Sequence, residues 1–352
     1  MPKILSAPLT VAISITTLCN LRCKHCFSTG GEPLEGRNLD RDEWLKVVDD
    51  LAAAKVFSVT ISGGEPLVVP WFRDVAQRVV QNKMSCGLNT NALLVDSEMA
   101  KWLKGLPMND RVSVSFDGSR EETYEMLRGK GTFKKALAGI ENLMKAGLRV
   151  RLFCVVNRFN CMELEDIIKA GLELGCRNIE FNTFYPTGCG STFEEELQPD
   201  SEQLKAAFEN ALVLEEKYKD VIRGVFLKQA NLYRQSLQRT AKGSSPSPAR
   251  IGCGAGLKNA AIRSDGTLVP CEILWRAGCG NVLEQCVQNI WQSSDMLKSL
   301  RNLAGVPLSE IEVCKDCNIN DICDGGCRSG PLSRGEMLGT DVHCWKIRLE
   351  KE

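Results

Sequence analysis

Histidine is almost missing from this sequence: His25 and His343 are the only two among 352 residues. Acid–base catalysis and imidazole-based metal binding therefore have few candidates. An excess of charge of either sign is missing too, since Lys plus Arg and Asp plus Glu each number 44. That balance leaves no electrostatic footprint for nucleic acid or for an anionic membrane surface. No apolar run is long enough to span a bilayer, and the opening MPKILSAPLTVAISITT lacks a hydrophobic stretch ending in a small-residue cleavage site. A cytoplasmic location is expected. What the chain has in abundance is cysteine, with seventeen. In a reducing compartment these do not read as a disulfide framework, and a chain of this length needs none, so metal binding or catalysis is the better reading.

The remaining composition, 43% hydrophobic and 25% charged, suits one large core with a smaller unit beside it. β-Branched runs alternate with helical-period segments: VAISITT, FSVTISG, SCGLNT, RVSVSFD, RVRLFCVVN and NIEFNTFY are separated by amphipathic stretches such as DRDEWLKVVDDLAAAK and TFKKALAGIENLMKAG. Six such units predict an α/β fold, a right-handed partial (β/α)6 barrel rather than a closed eight-unit one. Asp40 and Ser97 are the expected helix N-caps. A polar, Pro- and Ser-rich stretch, KGSSPSPAR, then reads as a linker. The expected division is a barrel over 1–241, a linker over 242–252 and a cysteine-rich domain over 253–352.

CNLRCKHC, after the first strand, places Cys19, Cys23 and Cys26 in one loop at the carboxyl end of the strand, where chemistry collects in such folds. Thiolates select soft metals, so zinc or an iron–sulfur cluster is the natural occupant. A structural zinc wants a fourth ligand nearby. His25, wedged between Cys23 and Cys26, is badly placed to supply it, so a site with one open metal position fits better.

The Cys-x3-Cys-x2-Cys loop followed by Phe27, with GGEP (Gly63, Gly64, Glu65, Pro66) ending strand two, resembles the radical S-adenosylmethionine (SAM) superfamily. The resemblance implies that the three cysteines hold three irons of a 4Fe-4S cluster. The fourth iron would be chelated by the amino and carboxylate groups of SAM, whose cleavage yields a 5'-deoxyadenosyl radical. It further implies a cofactor cradle. Glu65 or nearby carbonyls would accept from the cofactor ammonium, Ser115 would contact the ribose, and Arg128 would pair with the cofactor carboxylate. Asn89 and Asn91 of LNTN would end strand three at the same mouth. Taken singly, these four could also be a turn, a strand-end hydroxyl and a surface ion pair.

Beyond the linker, Cys253, Cys271, Cys314, Cys317, Cys323, Cys327 and Cys344 resemble in order the SPASM extension of radical enzymes. That resemblance implies two auxiliary 4Fe-4S clusters, three in all. Cys314, Cys317, Cys323 and Cys344 would close one; Cys253, Cys271 and Cys327 would hold the other, its fourth position open or filled by Cys279 or Cys286. Cys86, Cys154, Cys161 and Cys176 read as core or near-surface thiols, and Cys189 as a loop thiol facing the mouth.

Glu272, next to Cys271, corresponds by place to the general base of sulfatase-maturing relatives, and Asp117 is the other pocket carboxylate. SPASM-type enzymes mostly modify peptides. Because the first strand begins near Val11, a separate peptide-recognition protein is expected, with flavodoxin or ferredoxin as electron donor. The chain is thus expected to be an oxidoreductase acting as a maturase of a ribosomally made peptide. Alternatives are a dehydrogenase of a sulfatase side chain, an aminoglycoside or a haem precursor, and, in another class, a non-catalytic cluster sensor or zinc scaffold.

Overall fold

A computed structural model describes residues 4–32, 37–107, 109–239 and 248–349. Strands β1 (Thr10–Ser14), β2 (Ser58–Ser62), β3 (Ser85–Thr90), β4 (Asn109–Ser115), β5 (Val150–Val156) and β6 (Ile179–Thr183) pair in that order, all parallel. The helices between them are α1 (Arg41–Ala53), α2 (Phe72–Gln81), α3 (Ser97–Gly105), α4 (Glu121–Arg128), α5 (Phe133–Lys145) and α6 (Leu164–Glu173). After β6 come α7 (Glu194–Leu197), α8 (Ser201–Lys217), a two-residue strand β7 (Ile222–Arg223) parallel to β6, and α9 (Val225–Gln238). The expected α/β partial barrel is present, with β7 and α4 as additions too short to carry a periodic signal.

The strands alternate, which parallel strands buried on both faces do not. Val11, Ile13, Val59, Ile61, Val112, Val114, Leu152 and Phe181 point to one face and share a single buried core with Trp44, Val48, Val75, Ile140 and Ile167 of the helices. The opposite face carries Ser14, Thr60, Ser62, Gly87, Asn89, Ser113, Ser115, Arg151 and Glu180. A polar inner face cannot be a packed core. It lines the concave interior, and the site is built over it.

Asp40 caps α1 as expected, in a reciprocal capping box with Glu43. At α3 the cap is Asp96, which accepts from the Met99 amide at 2.7 Å; Ser97 is the first helical residue. Asp and Ser both cap well, and the side chain one residue earlier is the one that reaches the free amide.

Residues 242–247 of the expected linker lie outside the described ones. Beyond it, β8 (Asn259–Ile262) pairs in parallel with β1, and the hairpin partners β9 (Thr267–Val269) and β10 (Gly280–Asn281) follow antiparallel, giving one ten-stranded sheet. The cysteine-rich unit is therefore joined to the barrel edge by main-chain hydrogen bonds. It continues through α10 (Val287–Ser293), α11 (Asp295–Leu303) and short turns of helix, and has a small core of its own around Ile251, Leu300, Leu303, Leu308 and Ile311.

Candidate cofactor and catalytic site

The loop bearing Cys19, Cys23 and Cys26 is clamped from three directions. From GGEP, the Gly64 amide donates to Thr16 O at 2.7 Å and the Glu65 amide to Leu18 O at 2.9 Å. A Cβ on Gly64 would stand 2.1 Å from Leu18 O, and one on Gly63 2.5 Å from Thr16 O. The two glycines let the strand-two loop close on the cysteine loop itself, and Gly63 also has a φ of +139°. From α4, Leu127 O accepts from the Lys24 amide at 3.0 Å; from the loop after β6, the Gly190 amide donates to Cys26 O at 2.8 Å.

Glu65 is buried, and both of its carboxylate oxygens are already engaged. Thr90 Oγ1 donates to one at 2.7 Å and the Asn91 amide to the other at 2.8 Å, with the Leu67 amide at 3.3 Å. Burial pushes its carboxyl up to about 7 against the pull of these donors. Glu65 thus pins GGEP to LNTN. Asn91 continues the tie by donating to Asn20 Oδ1, inside the cysteine loop, at 2.7 Å. Asn89 and Ser115 stand half-exposed on the inner face, one residue short of Thr90 and at the end of β4.

Arg128 is buried rather than poised for solvent. Its guanidinium pairs with the fully buried Asp117, and Nη1 lies 3.8 Å from Cys23 Sγ and Nη2 3.3 Å from His25 Nε2. Asp117 also accepts from the Val155 amide at 2.7 Å. Burial alone would raise the Asp117 carboxyl, yet Arg128, His25 and that amide hold it well below the usual range. These contacts make Asp117 an anchor for Arg128 and leave it unsuited to accept a substrate proton. They also give Arg128 a carboxylate within the protein, where a free fork for the cofactor was expected.

Glu272 is different. Its Oε1 is buried and without a hydrogen-bond partner among the described residues. Burial raises its pKa, with the nearby Ser62 of β2 opposing. It lines a small cavity with Phe27, Gly63, Thr17, Arg263 and Trp275, directly over the inner face. His25 is tied to Asp117 and Arg128, and burial lowers His343 to about 3, with Arg348 adding, so His343 is neutral. His343 therefore does not compete with Glu272 as a proton acceptor.

All seventeen cysteines are free thiols, and their mutual electrostatics sort them. Burial pushes Cys23 up to about 12, Arg128 opposes, and Cys26 and Cys19 add. Cys271 rises to about 12 for burial first, with Cys327 and Cys253 contributing; Cys314 does so with Cys344, Cys323 and Cys317. Cys23, Cys271 and Cys314 thus each feel the charge of other cysteines of the group expected for them. Among the described residues no three His, Cys, Asp or Glu side chains close on a single metal ion. The Cys279 thiol donates instead to Ala277 O at 3.5 Å, and Cys286 is exposed just before α10. Near Cys327 stands a residue the sequence did not single out: Tyr185, just past β6, whose hydroxyl is pushed well up by burial first, with the charge of Cys327 adding. Its ring meets His343 edge-on at 4.5 Å. Cys86, Cys154, Cys161 and Cys176 are buried as core thiols, and Cys189 lies against Gly30 of the cysteine loop, 3.1 Å from where a Cβ there would be. A donor set of clustered, clamped thiols fits iron–sulfur clusters.

The radical SAM superfamily profile matches residues 13–171, and SPASM, an iron–sulfur cluster-binding domain, matches 253–318. The chain is 30% identical to the mycofactocin maturase MftC of Mycobacterium ulcerans over 97% of its own length and 88% of that protein's. It is 27% identical to the AdoMet-dependent heme synthase of Methanosarcina barkeri, over 96% and 97%. In fold it resembles Streptococcus suis SuiB bound to its precursor peptide SuiA, with a TM-score of 0.76 at 18% identity, over 97% of this chain and 76% of that one. The native anSMEcpe with bound AdoMet follows at 0.66 and 18%, over 92% and 90%. The chain belongs to the radical SAM superfamily, as a SPASM-bearing member whose cofactors are S-adenosylmethionine and iron–sulfur clusters.

Proposed function

We propose that this protein is a cytoplasmic radical SAM maturase that modifies a ribosomally made peptide by hydrogen-atom abstraction. The observation that carries this is the cysteine loop, clamped by GGEP and α4 at the mouth of a polar, concave sheet face. Its similarity to mycofactocin maturases, and at 26% identity to the PqqA peptide cyclase of Granulibacter bethesdensis, supports the peptide substrate. When bound, SAM and the barrel cluster supply a 5'-deoxyadenosyl radical that removes a hydrogen atom from substrate.

Everything else falls to the chain's own residues. Cys19, Cys23 and Cys26 would hold the barrel cluster. Cys314, Cys317, Cys323 and Cys344 would hold one auxiliary cluster, and Cys253, Cys271 and Cys327 another, with Tyr185 beside its thiols. With Glu65 occupied by Thr90 and Asn91, the carbonyls around Gly63 and Gly64 are left as acceptors for the SAM ammonium, with Phe27 and Pro66 flanking and Asn89 and Ser115 facing the interior. Glu272, raised by burial and with a free oxygen over the inner face, would take the proton released when a substrate radical is oxidised. A separate recognition protein would deliver the peptide, and flavodoxin or ferredoxin the reducing electron. The barrel over 1–241 and the cluster domain over 253–352 would meet through β1 and β8.

The heme synthase relative favours one second reading, a porphyrin-type substrate. Anaerobic reconstitution with iron and sulfide, then dithionite and SAM, tests the chemistry by chromatography of 5'-deoxyadenosine. Wild-type protein should form it and Cys23→Ala none, while Cys317→Ala keeps part of it. Full turnover by Cys23→Ala would overturn the assignment. Stimulation by an iron porphyrin, with none by any candidate peptide, would select the second reading.

A further inference from the structure

Far from the cysteine loop, the inner sheet face carries a group of charges that the chemistry above leaves unused. Arg111 of β4, Arg151 of β5, Glu180 of β6 and Arg223 of β7 are brought onto one face by the register. Arg111 lies opposite Gly87, Ser113 opposite Arg151, Phe153 opposite Glu180, and Glu180 opposite Arg223. Arg151 is fully employed: Nη1 donates to Glu180 Oε2 at 2.7 Å, and Nε and Nη2 to Ser113 Oγ at 3.1 and 2.8 Å. Asn182 completes Glu180 at 3.1 Å. Arg111 and Arg223 are exposed and have no hydrogen-bond or ion-pair partner among the described residues. Burial lowers the Arg151 pKa, Glu180 opposes, and the nearby charges of Arg111 and Arg223 lower it further, so all three arginines sit within one field. Among the described residues Glu180 thus pairs with Arg151 alone, and the other two guanidinium groups nearby are left without a carboxylate.

We infer that Arg111 and Arg223, flanking the Arg151–Glu180 pair, form an anchoring subsite for a carboxylate of the peptide substrate. An arginine fork recognises a carboxylate bidentately, and a concave face concentrates its field on an anion. The inference rests on the peptide-maturase reading and adds what the peptide must carry. Position also sets spacing. Arg151 lies five residues before the end of β5 at Val156, so at about 3.3 Å per residue the subsite is about 17 Å from the mouth. An extended peptide crosses that distance in about five residues. The carboxylate is therefore about five positions from the residue that is modified.

The test uses the reconstituted holoenzyme and three fluorescein-labelled hexapeptides of glycine and serine: amidated with one glutamate, amidated with glutamine in its place, and glutamine-bearing with a free C-terminal carboxylate. Fluorescence anisotropy should show at least tenfold tighter binding of one or both carboxylate peptides than of the neutral one; which of the two identifies the carboxylate's source. Arg111→Gln/Arg223→Gln should erase that preference. Lys101→Gln/Lys205→Gln, which removes equal charge from the helices outside the barrel, should keep it. Equal binding of all three peptides, or equal loss in the lysine control, overturns the subsite. Formation of 5'-deoxyadenosine by the same wild-type preparation separates that failure from failure of the maturase reading.

Discussion

Replacing Asp117 by asparagine tests the most constrained part of the site. Asp117 is fully buried, Arg128 nearly so, and the pair is the link between β4 and Cys23. Breaking a buried ion pair by removing one partner costs about 3–5 kcal/mol, because the other charge is left uncompensated. The amide introduced by Asp117→Asn would still offer an oxygen to the Val155 amide, so that bond, worth about 1 kcal/mol, survives and the expected loss lies near the low end, about 3 kcal/mol. With a urea slope of about 3 kcal/mol per molar, the midpoint of apo protein under anaerobic reducing conditions should fall by about 1 M. The pH dependence has a fixed sign. A carboxyl held below its ordinary value contributes stability that is fully present above about pH 4 and is lost as pH falls through the folded value. The gap between Asp117→Asn and wild type should therefore narrow as pH falls below about 4. Asp117→Asn/Arg128→Met, which removes both charges, should recover at least half of the loss. A midpoint within 0.2 M of wild type (about 0.6 kcal/mol by the same slope), or a gap that does not narrow as pH falls below about 4, would refute the reasoning.

Other parts of the site respond in their own ways. Gly64→Ala should cut the iron retained by the barrel loop severalfold, measured in a variant also lacking Cys271 and Cys317, since the new Cβ meets Leu18 O at 2.1 Å. Gly105→Ala, at the end of α3 with nothing within 4 Å, should instead stabilise the protein by about 0.5–1 kcal/mol on denaturation. Glu65, raised to about 7 by burial, makes stability fall as pH rises from its unfolded value of about 4 to about 7; Glu65→Gln should flatten that slope in urea titrations at stepped pH. Tyr185→Phe removes the polar hydroxyl near Cys327 and should lower the midpoint potential of one auxiliary cluster in an EPR-monitored redox titration, leaving the barrel cluster unchanged.

Much of this protein was legible in the sequence because its signals are local or ordered along the chain. Strand–helix alternation, the spacing of Cys19, Cys23 and Cys26, GGEP at the end of β2, and the seven cysteines after residue 252 need no tertiary knowledge to be read. Cys23, Cys271 and Cys314 each feel the charge of thiols from the group that order implied for them. What only the tertiary structure decided is which side chains are free. Glu65, Asp117 and Arg128 look like open ligands in the sequence, but each is consumed by partners 11 to 26 residues away, Thr90, Asn91 and one another. Glu272 keeps a buried oxygen with no hydrogen-bond partner among the described residues. Tyr185 beside Cys327, and Arg111, Arg151 and Arg223 on one face, are juxtapositions across strands and domains. Residue type and spacing determine what a segment can do locally, whereas burial and pairing across long separations determine which polar groups remain available, and those exist only once the sheet has closed.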